Sequence, residues 1–356
     1  NYDMSTGSAN PVANTNIKNR TNSYNFLGTI YGELDVIPDL TFRSSLSGTV
    51  YSGKSEGFSP SFLYTNRRSR GSESHSNNYS TILDNTLSYK KRFAGIHSID
   101  AVVGVSFENY ESKATSISGD TYPDDYIYNN IGSATSTSIG STSGYNSSKG
   151  LFASFGRINY ILKDRYLFTV TTRYDGSSLF GANNRYGFFP SGAIAWRISE
   201  ESFMENVTFV NDLKLRMSSG VTGVTNISLY RNLDLFSAGS YNDLPMIYHS
   251  QSGNRDIKWE QTTQHDIGLD FALLDSRLRG SVSGYIKDTK DLIWNFSYSN
   301  SSKGYTVPRN IASVSNKGVE LGLTGYIIQN ADWQFDITLN LARNINKSPR
   351  LLKKVH

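Results

Sequence analysis

The stretch whose reading decides the fold is GVELGLTGYIIQNADWQFDITLNLARN, residues 318–344. In its first half Val319, Leu321, Leu323, Gly325 and Ile327 alternate with Glu320, Gly322, Thr324 and Tyr326. A tight turn at Gln329-Asn330-Ala331-Asp332 follows. Beyond it Trp333, Phe335, Ile337, Leu339 and Leu341 alternate with Gln334, Asp336, Thr338 and Asn340. A period of two marks strands with one apolar and one polar face. Both strands run past the usual length of about five or six residues, so the apolar face needs an apolar medium along its whole extent.

The same pattern recurs through the chain. Tyr24, Phe26, Ile30, Leu34 and Val36 share one face of 22–36, against Ser23, Asn25, Thr29, Glu33 and Asp35. Ile99, Ala101, Val103, Val105 and Phe107 alternate with Asp100, Gly104 and Ser106. The periodicity predicts about twelve strands, at 22–37, 40–52, 79–92, 95–112, 149–162, 165–174, 185–198, 211–222, 259–274, 277–290, 312–328 and 333–346. A short helical turn is expected in SEESFMENV, with Ser199 as its cap.

Connections alternate between short and long. Short ones fall at Pro38-Asp39, Arg92-Phe93-Ala94, Lys163-Asp164, Asp275-Ser276 and Gln329–Asp332, with 199–210 the longest of the set. Long ones, rich in Ser, Gly, Asn, Thr and Tyr, fall at 53–78, 113–148, 175–184, 223–258 and 291–311. A soluble sandwich has no reason for tight turns at one end and large polar loops at the other. A transmembrane antiparallel up-and-down β-barrel does, with its apolar face on lipid and its polar face inward. In WEQTTQHDIGLDFALLD, Ile267, Leu269, Phe271 and Leu273 belong in lipid, while Gln261, Thr263 and His265 rise above it. Tyr24, Phe26, Tyr166, Phe168, Tyr186, Phe188 and Trp333 suit the aromatic belts at the interfaces.

Composition narrows the function classes. Hydrophobic residues make up only 37% of the 356, yet aromatics reach 13%, and no apolar run is long enough for a membrane helix. A net charge of +4, scattered along the chain, argues against a nucleic-acid partner. Without cysteine there is neither a disulfide framework nor a thiolate metal site. The opening NYDMSTGSAN has neither a basic nor an apolar signal region, so no signal peptide is expected. With no G-x-S-x-G elbow and no H-E-x-x-H, nothing points to an enzyme, and no cofactor is expected.

Four segments carry a family resemblance. They are KDRYLFTVTTRYDGSSLFGANNRYGFFPSGAIAWRISEESFM (163–204), LKLRMSSGVTG (213–223), IKWEQTTQHDIGLDFALLDSRLRGSVSGYIKDTKDLI (257–293) and NIASVSNKGVELGLTGY (310–326). In order and length they resemble the barrel of SusC/RagA-type TonB-dependent transporters of Bacteroidetes outer membranes. The resemblance implies a multi-pass outer-membrane protein importing an oligosaccharide or peptide. It also implies a SusD-like surface lipoprotein as a lid, and TonB acting through a plug. Neither plug nor TonB box is read in this sequence, and KSPRLLKKVH does not resemble a terminal barrel strand. Residues 1–356 are therefore expected to be a portion of one barrel domain of about 22 strands, with no separate second domain. The rival readings are a passive porin-like or adhesin-like barrel, in which the first and last strands pair directly, and an outer-membrane enzyme with active residues on its rim.

Candidate ligand residues lie in the long loops. Tyr122, Tyr126, Tyr128 and Tyr145 offer stacking faces to a sugar or peptide, against the plainer reading that Tyr is common in such loops. Asp120, Asp124 and Asp125 offer hard oxygens to Ca²⁺, but their spacing fits no EF-hand and solvated loop acids are the simpler account. His249 and His265 have no companions at metal-ligand spacing. The basic NRRSRGSESH at 66–75 suits a solvated loop near lipopolysaccharide phosphates. Asp175-Gly176-Ser177-Ser178 is expected to form a turn, with Gly176 supplying a permissive backbone.

Overall fold

The computed structural model describes residues 11–64, 66–125, 130–135, 143–298 and 305–350. Among the described residues fourteen strands follow a one-turn helix at Pro11–Asn14. They are β1 (Lys18–Ile37), β2 (Leu40–Ser59), β3 (Arg70–Phe93), β4 (His97–Asp120), β5 (Ser143–Leu162), β6 (Tyr166–Ser177) and β7 (Tyr186–Arg197). They continue as β8 (Val210–Val224), β9 (Leu235–Tyr241), β10 (Leu244–Gln251), β11 (Glu260–Leu273), β12 (Leu278–Tyr298), β13 (Tyr305–Gln329) and β14 (Gln334–Arg350). Twelve form one sheet in sequence order, with β8 followed directly by β11, and β9 pairs only with β10. Strands β1 and β14 stand at opposite ends of that order and do not pair with each other. No helix among the described residues is long and apolar enough to cross a membrane.

The twelve expected strands are all present, and their short-turn ends agree closely with expectation. The turns explain why. Lys163 and Asp164 both take φ near +53°, at 52° and 54°, and Asp39 takes 71°. Such left-handed pairs match the right-handed twist of the strands they join. Each tight turn is also tied to its neighbour, as where Lys163 N–H donates to Ile96 C=O at 2.7 Å and Leu274 N–H to Phe209 C=O at 2.8 Å.

The loop-side ends differ from expectation. Strand β2 continues to Ser59, β3 begins at Arg70, β4 runs to Asp120 and β12 to Tyr298. Much of the expected loops 53–78, 113–148 and 291–311 is therefore ladder. In β2, β3 and β4 the added residues are mostly polar on both faces, because strand extending beyond lipid has water on both sides. Cross-strand polar pairs take over, such as Thr21 with Ser55 at 3.0 Å and the Ser112 hydroxyl donating to Asn78 at 2.6 Å. In β12, by contrast, Trp294, Phe296 and Tyr298 still alternate with polar residues. Three further expectations are corrected. The 223–258 loop contains the β9–β10 hairpin. SEESFMENV forms two single-turn 3₁₀ segments, Ile198–Glu200 and Ser202–Met204, and the Ser199 hydroxyl donates to Asp212 instead of capping. Gly176 lies within β6 at ordinary φ, where a Cβ would come within 2.5 Å of the Tyr186 ring, so it makes room for an aromatic rather than a turn.

Contacts group the chain into two compact units, one of residues 1–31, 45–83 and 108–149, the other of 32–44, 84–107 and 150–356. In the second unit the residue pattern is that of a lipid-solvated sheet. Apolar side chains face outward, with Val170, Phe188, Ile267, Ile337 and Leu341 each more than half exposed. Charges pair on the opposite face, where Asp270 meets Lys214 at 3.0 Å and Arg216 at 3.2 Å. In water this arrangement would lose its hydrophobic driving force; in a bilayer the lipid is the apolar phase. Aromatic rings mark both edges of the apolar band. On the turn side Phe93 stacks on His97, and His97 and Tyr160 share a 2.7 Å hydrogen bond. On the loop side Tyr174 and Tyr186 stack with centroids 5.3 Å apart. The eight steps from Tyr166 to Tyr174 span about 26 Å along β6, or roughly 20 Å of height at a tilt near 40°, most of an apolar band about 25 Å tall.

Candidate functional site

At the loop end of the second unit the connections form a braced platform. Its centre is a small core of Phe180, Phe189, Ile257 and Trp259, with Val221, Ile227 and Ile293 packed around it. Phe189 comes from β7 and turns inward, while its neighbour Phe188 faces out. Phe180 descends from the β6–β7 connection, and its ring lies 4.9 Å from Trp259. The Trp259 indole N–H donates to Arg185 C=O at 3.1 Å, so burial of the ring leaves no polar atom stranded. The chain approaches so closely here that a Cβ on Gly181 would fall 1.9 Å from Arg255 O. Only glycine fits.

Side chains then tie the long β8–β11 connection to β12 and β13. Asn254 donates to Pro308 C=O at 2.8 Å, and Asn310 donates to Lys258 C=O at 2.8 Å and Asp291 C=O at 2.7 Å. The Glu260 carboxylate accepts Ile293 N–H at 2.7 Å, and Lys258 pairs with Asp291 at 2.9 Å. Arg231 reaches both Gln251 and Asn295 at 3.1 Å. Chemically this is a support, with amides and carboxylates consumed in holding backbone rather than aimed at a reactant.

From that support rises the β9–β10 hairpin, turned by Asn242 and Asp243 with φ of 50° and 63°. Phe236, Tyr241, Leu244 and Ile247 are each at least 65% exposed. Register puts Phe236 and Ile247 on one face of the hairpin and Tyr241 and Leu244 on the other, so each face carries an exposed apolar pair.

The first unit holds the residues singled out from sequence. Tyr122 is buried, its ring packed edge-on 5.3 Å from Phe58 and its backbone N–H bonded to the Ser69 hydroxyl at 2.9 Å. It anchors its segment. Asp125 accepts the Ser61 N–H at 2.6 Å and the Ser61 hydroxyl, pinning the β2–β3 connection. Asp120 accepts the Thr121 hydroxyl at 3.2 Å. Asp120, Asp124 and Asp125 are not brought together: among the described residues no group of three or more His, Asp or Glu is placed to hold a metal. Tyr126 and Tyr128 lie outside the described residues, as does the side chain of Tyr145. The sequence reading missed the hairpin and the Phe180–Trp259 core.

A family model described as the TonB dependent receptor-like β-barrel matches residues 1–350. The chain belongs to that family. Among curated relatives, TonB-dependent receptor P39 of Formosa agariphila is 31% identical over 95% of this chain and 33% of its own length. TonB-dependent receptor SusC of Bacteroides thetaiotaomicron is 30% identical over 96% of this chain and 35% of its own. The chain thus spans about a third of the length of these receptors. Among solved structures, that of the RagAB peptide transporter matches with a TM-score of 0.88 at 24% identity, over 96% of this chain and 38% of that one. This likeness bears on the fold alone. As a stretch of TonB-dependent receptor barrel, the sheet crosses a bacterial outer membrane, with its relatives named as receptors rather than enzymes. The periplasmic and outer sides follow from the turns: short connections inward, long ones outward.

Proposed function

We propose that this chain forms part of the wall of an outer-membrane importer that takes up an oligopeptide or a glycan. Import is driven by TonB acting on a plug supplied from outside this sequence, and a SusD-like lipoprotein closes the outer side. The observation that carries the reading is the apolar β9–β10 hairpin standing on a rigid platform at the outer end of the sheet. A passive pore has no use for a projecting apolar surface braced from below, whereas a lid needs one fixed partner surface to work against. Family membership and the SusC relative support the transport class, and the likeness to a peptide transporter's fold is compatible with a peptide cargo. Within this reading Tyr126, Tyr128 and Tyr145 are the stacking contacts for cargo.

The test uses the full-length protein in its own cell. Phe236→Ser with Ile247→Ser should abolish co-purification of the neighbouring surface lipoprotein while the barrel still inserts. The same strain should lose growth on oligopeptides or on glycans as sole nutrient, whichever the wild type uses. Normal lipoprotein capture by the double variant would remove the hairpin from the lid interface. Uptake that persists without TonB would overturn the active importer.

A further inference from the structure

We infer that the outward face of β11–β14 carries a binding groove for a phosphate-bearing membrane lipid, with Lys317 and Arg343 on its headgroup and the recess over Gly284 receiving an acyl chain. This rests on the outer-membrane placement of the sheet and is independent of what is transported.

Register defines the rows on that face. Nearest the short turns, Phe271, Gly280, Leu323 and Leu339 lie side by side, followed by Leu269, Val282, Leu321 and Leu341. Neither row holds a charge. The next row is Ile267, Gly284, Val319 and Arg343, and the one after it is His265, Ile286, Lys317 and Ile345. The eight steps from Leu278 to Ile286 cover about 26 Å of strand, or roughly 20 Å of height at a tilt near 40°. Arg343, level with Gly284, sits about 15 Å up and Lys317 about 20 Å, close enough to the outer edge of an apolar band of about 25 Å for both long side chains to reach the headgroups.

Two observations point to a ligand rather than to bare interface. On the wet face Lys214 and Arg216 meet Asp270 and other cations have water, whereas a cation on the outward face has neither. Lys317, Arg343 and His265 form no ion pair or side-chain hydrogen bond among the described residues. Asp288, one row further outward by register, does not pair with them either. The floor beside them is also open. At Gly280 the missing side chain is replaced by Leu323 and Phe271, each 2.7 Å from where a Cβ would lie. At Gly284 the nearest atom is the Gly318 carbonyl oxygen, 3.8 Å away. A groove of about 680 Å³ results, with Ile267, Val319 and Ile286 along its floor and Lys317 and Arg343 at its rim. Asp266, which also lines it, is engaged by Gln264 at 3.0 Å and Ser218 at 3.4 Å. An anionic headgroup with a hydrocarbon chain complements both parts, and a free anion complements only one.

The full-length protein, reconstituted in nanodiscs of neutral phosphatidylcholine, is titrated with diphosphoryl lipid A and read by native mass spectrometry. One lipid A should bind per barrel at this site. Lys317→Gln with Arg343→Gln should weaken it about thirty-fold, at roughly a factor of five per cation near a membrane surface. Gly284→Leu fills the recess without touching charge and should weaken binding too. Arg67→Gln with Arg68→Gln, in the basic outer loop, should leave it unchanged. Wild-type affinity in the Lys317/Arg343 variant overturns the proposal, as does an equal loss in the Arg67/Arg68 variant, which would make the effect one of total charge. Displacement by inorganic phosphate would also overturn it, since the acyl chain would then contribute nothing. Failure of the wild type to enter the bilayer is a separate result, and it would strike the membrane placement itself.

Discussion

Leu339 and Thr338 stand side by side on β14 and face opposite phases. Leu339 opposes Leu323 on the lipid side, while the Thr338 hydroxyl lies 3.1 Å from that of Thr324 on the wet side. Arginine at Leu339 should cost about 2–4 kcal/mol near the bilayer midplane, and arginine at Thr338 much less, in equilibrium refolding of the full-length barrel into vesicles. Equal costs would remove the facial assignment. Asp270, also on the wet face, is no neutral control, because it balances Lys214 and Arg216 and its loss would leave two cations unmatched. Glu201, in the β7–β8 connection outside the strands, makes a second residue-level case. Its carboxylate accepts the Tyr166 hydroxyl at 2.6 Å and the Trp196 indole at 2.9 Å, and Arg165 lies at 3.2 Å. The Tyr166 hydrogen bond first, then that of Trp196 and the nearby charge of Arg165, hold its pKa below the usual carboxylate range. A folded-state value below the unfolded one, about 4.3, adds stability that is complete above that pH. It is lost as pH falls through the depressed value. Glu201→Gln should therefore be less stable than wild type at neutral pH, and the two should converge in acid. Thermal melts across pH 2–7 check this, and a gap that stays constant would rule the carboxylate out as the titrating group.

At the scale of elements, legibility tracked the apolar phase. Where a strand crosses lipid its period of two shows in the letters, and β11, expected at 259–274, runs Glu260–Leu273. Where the same strand continues into water both faces are polar, and Ser, Thr, Lys and Glu in β2 or β3 read like loop. Backbone pairing holds those extensions, and pairing leaves little trace in a single sequence. The β9–β10 hairpin was missed inside the expected 223–258 loop: its one local signal is the Asn242-Asp243 turn pair, and a proline at 245 counts against a strand beside it. Pro245 is tolerated because this ladder has only two strands, leaving edge positions that need no donor. The core around Phe180 and Trp259 joins residues far apart in sequence, and nothing local announces it. These differences change where a protease should cut intact cells. Flexible exposed tips are preferred sites, so cleavage by a broad-specificity protease is expected first around Asn242 and Asp243. The paired stretches Ser52–Ser59 and Arg70–Asn78 should resist, although composition alone marks them as loop. Early cuts at Lys163-Asp164 or Asp275-Ser276 would place the short turns outside and invert the topology.

For the molecule as a whole, the decisive fact is that β1 and β14 lie at opposite ends of the twelve-strand order without pairing. A porin-like barrel of these strands alone would join them, and the structure does not. An open strand edge in hydrocarbon leaves N–H and C=O groups with no partner, each at a cost of several kcal/mol. Nothing within the twelve strands offsets such a cost along two edges: the lipid-facing side chains stabilise insertion but cannot satisfy a backbone donor. Other strands must therefore cover both edges, which accords with relatives about three times as long as the stretch they share with this chain. The expected outcome is that residues 1–356 produced alone do not give a monomeric, heat-modifiable barrel or steady single-channel conductance in planar bilayers. The full-length protein should give the heat-modifiable form. Conductance from the isolated stretch, with a mass equal to one chain, would show that β1 and β14 can close on each other and would restore the passive pore as the better reading.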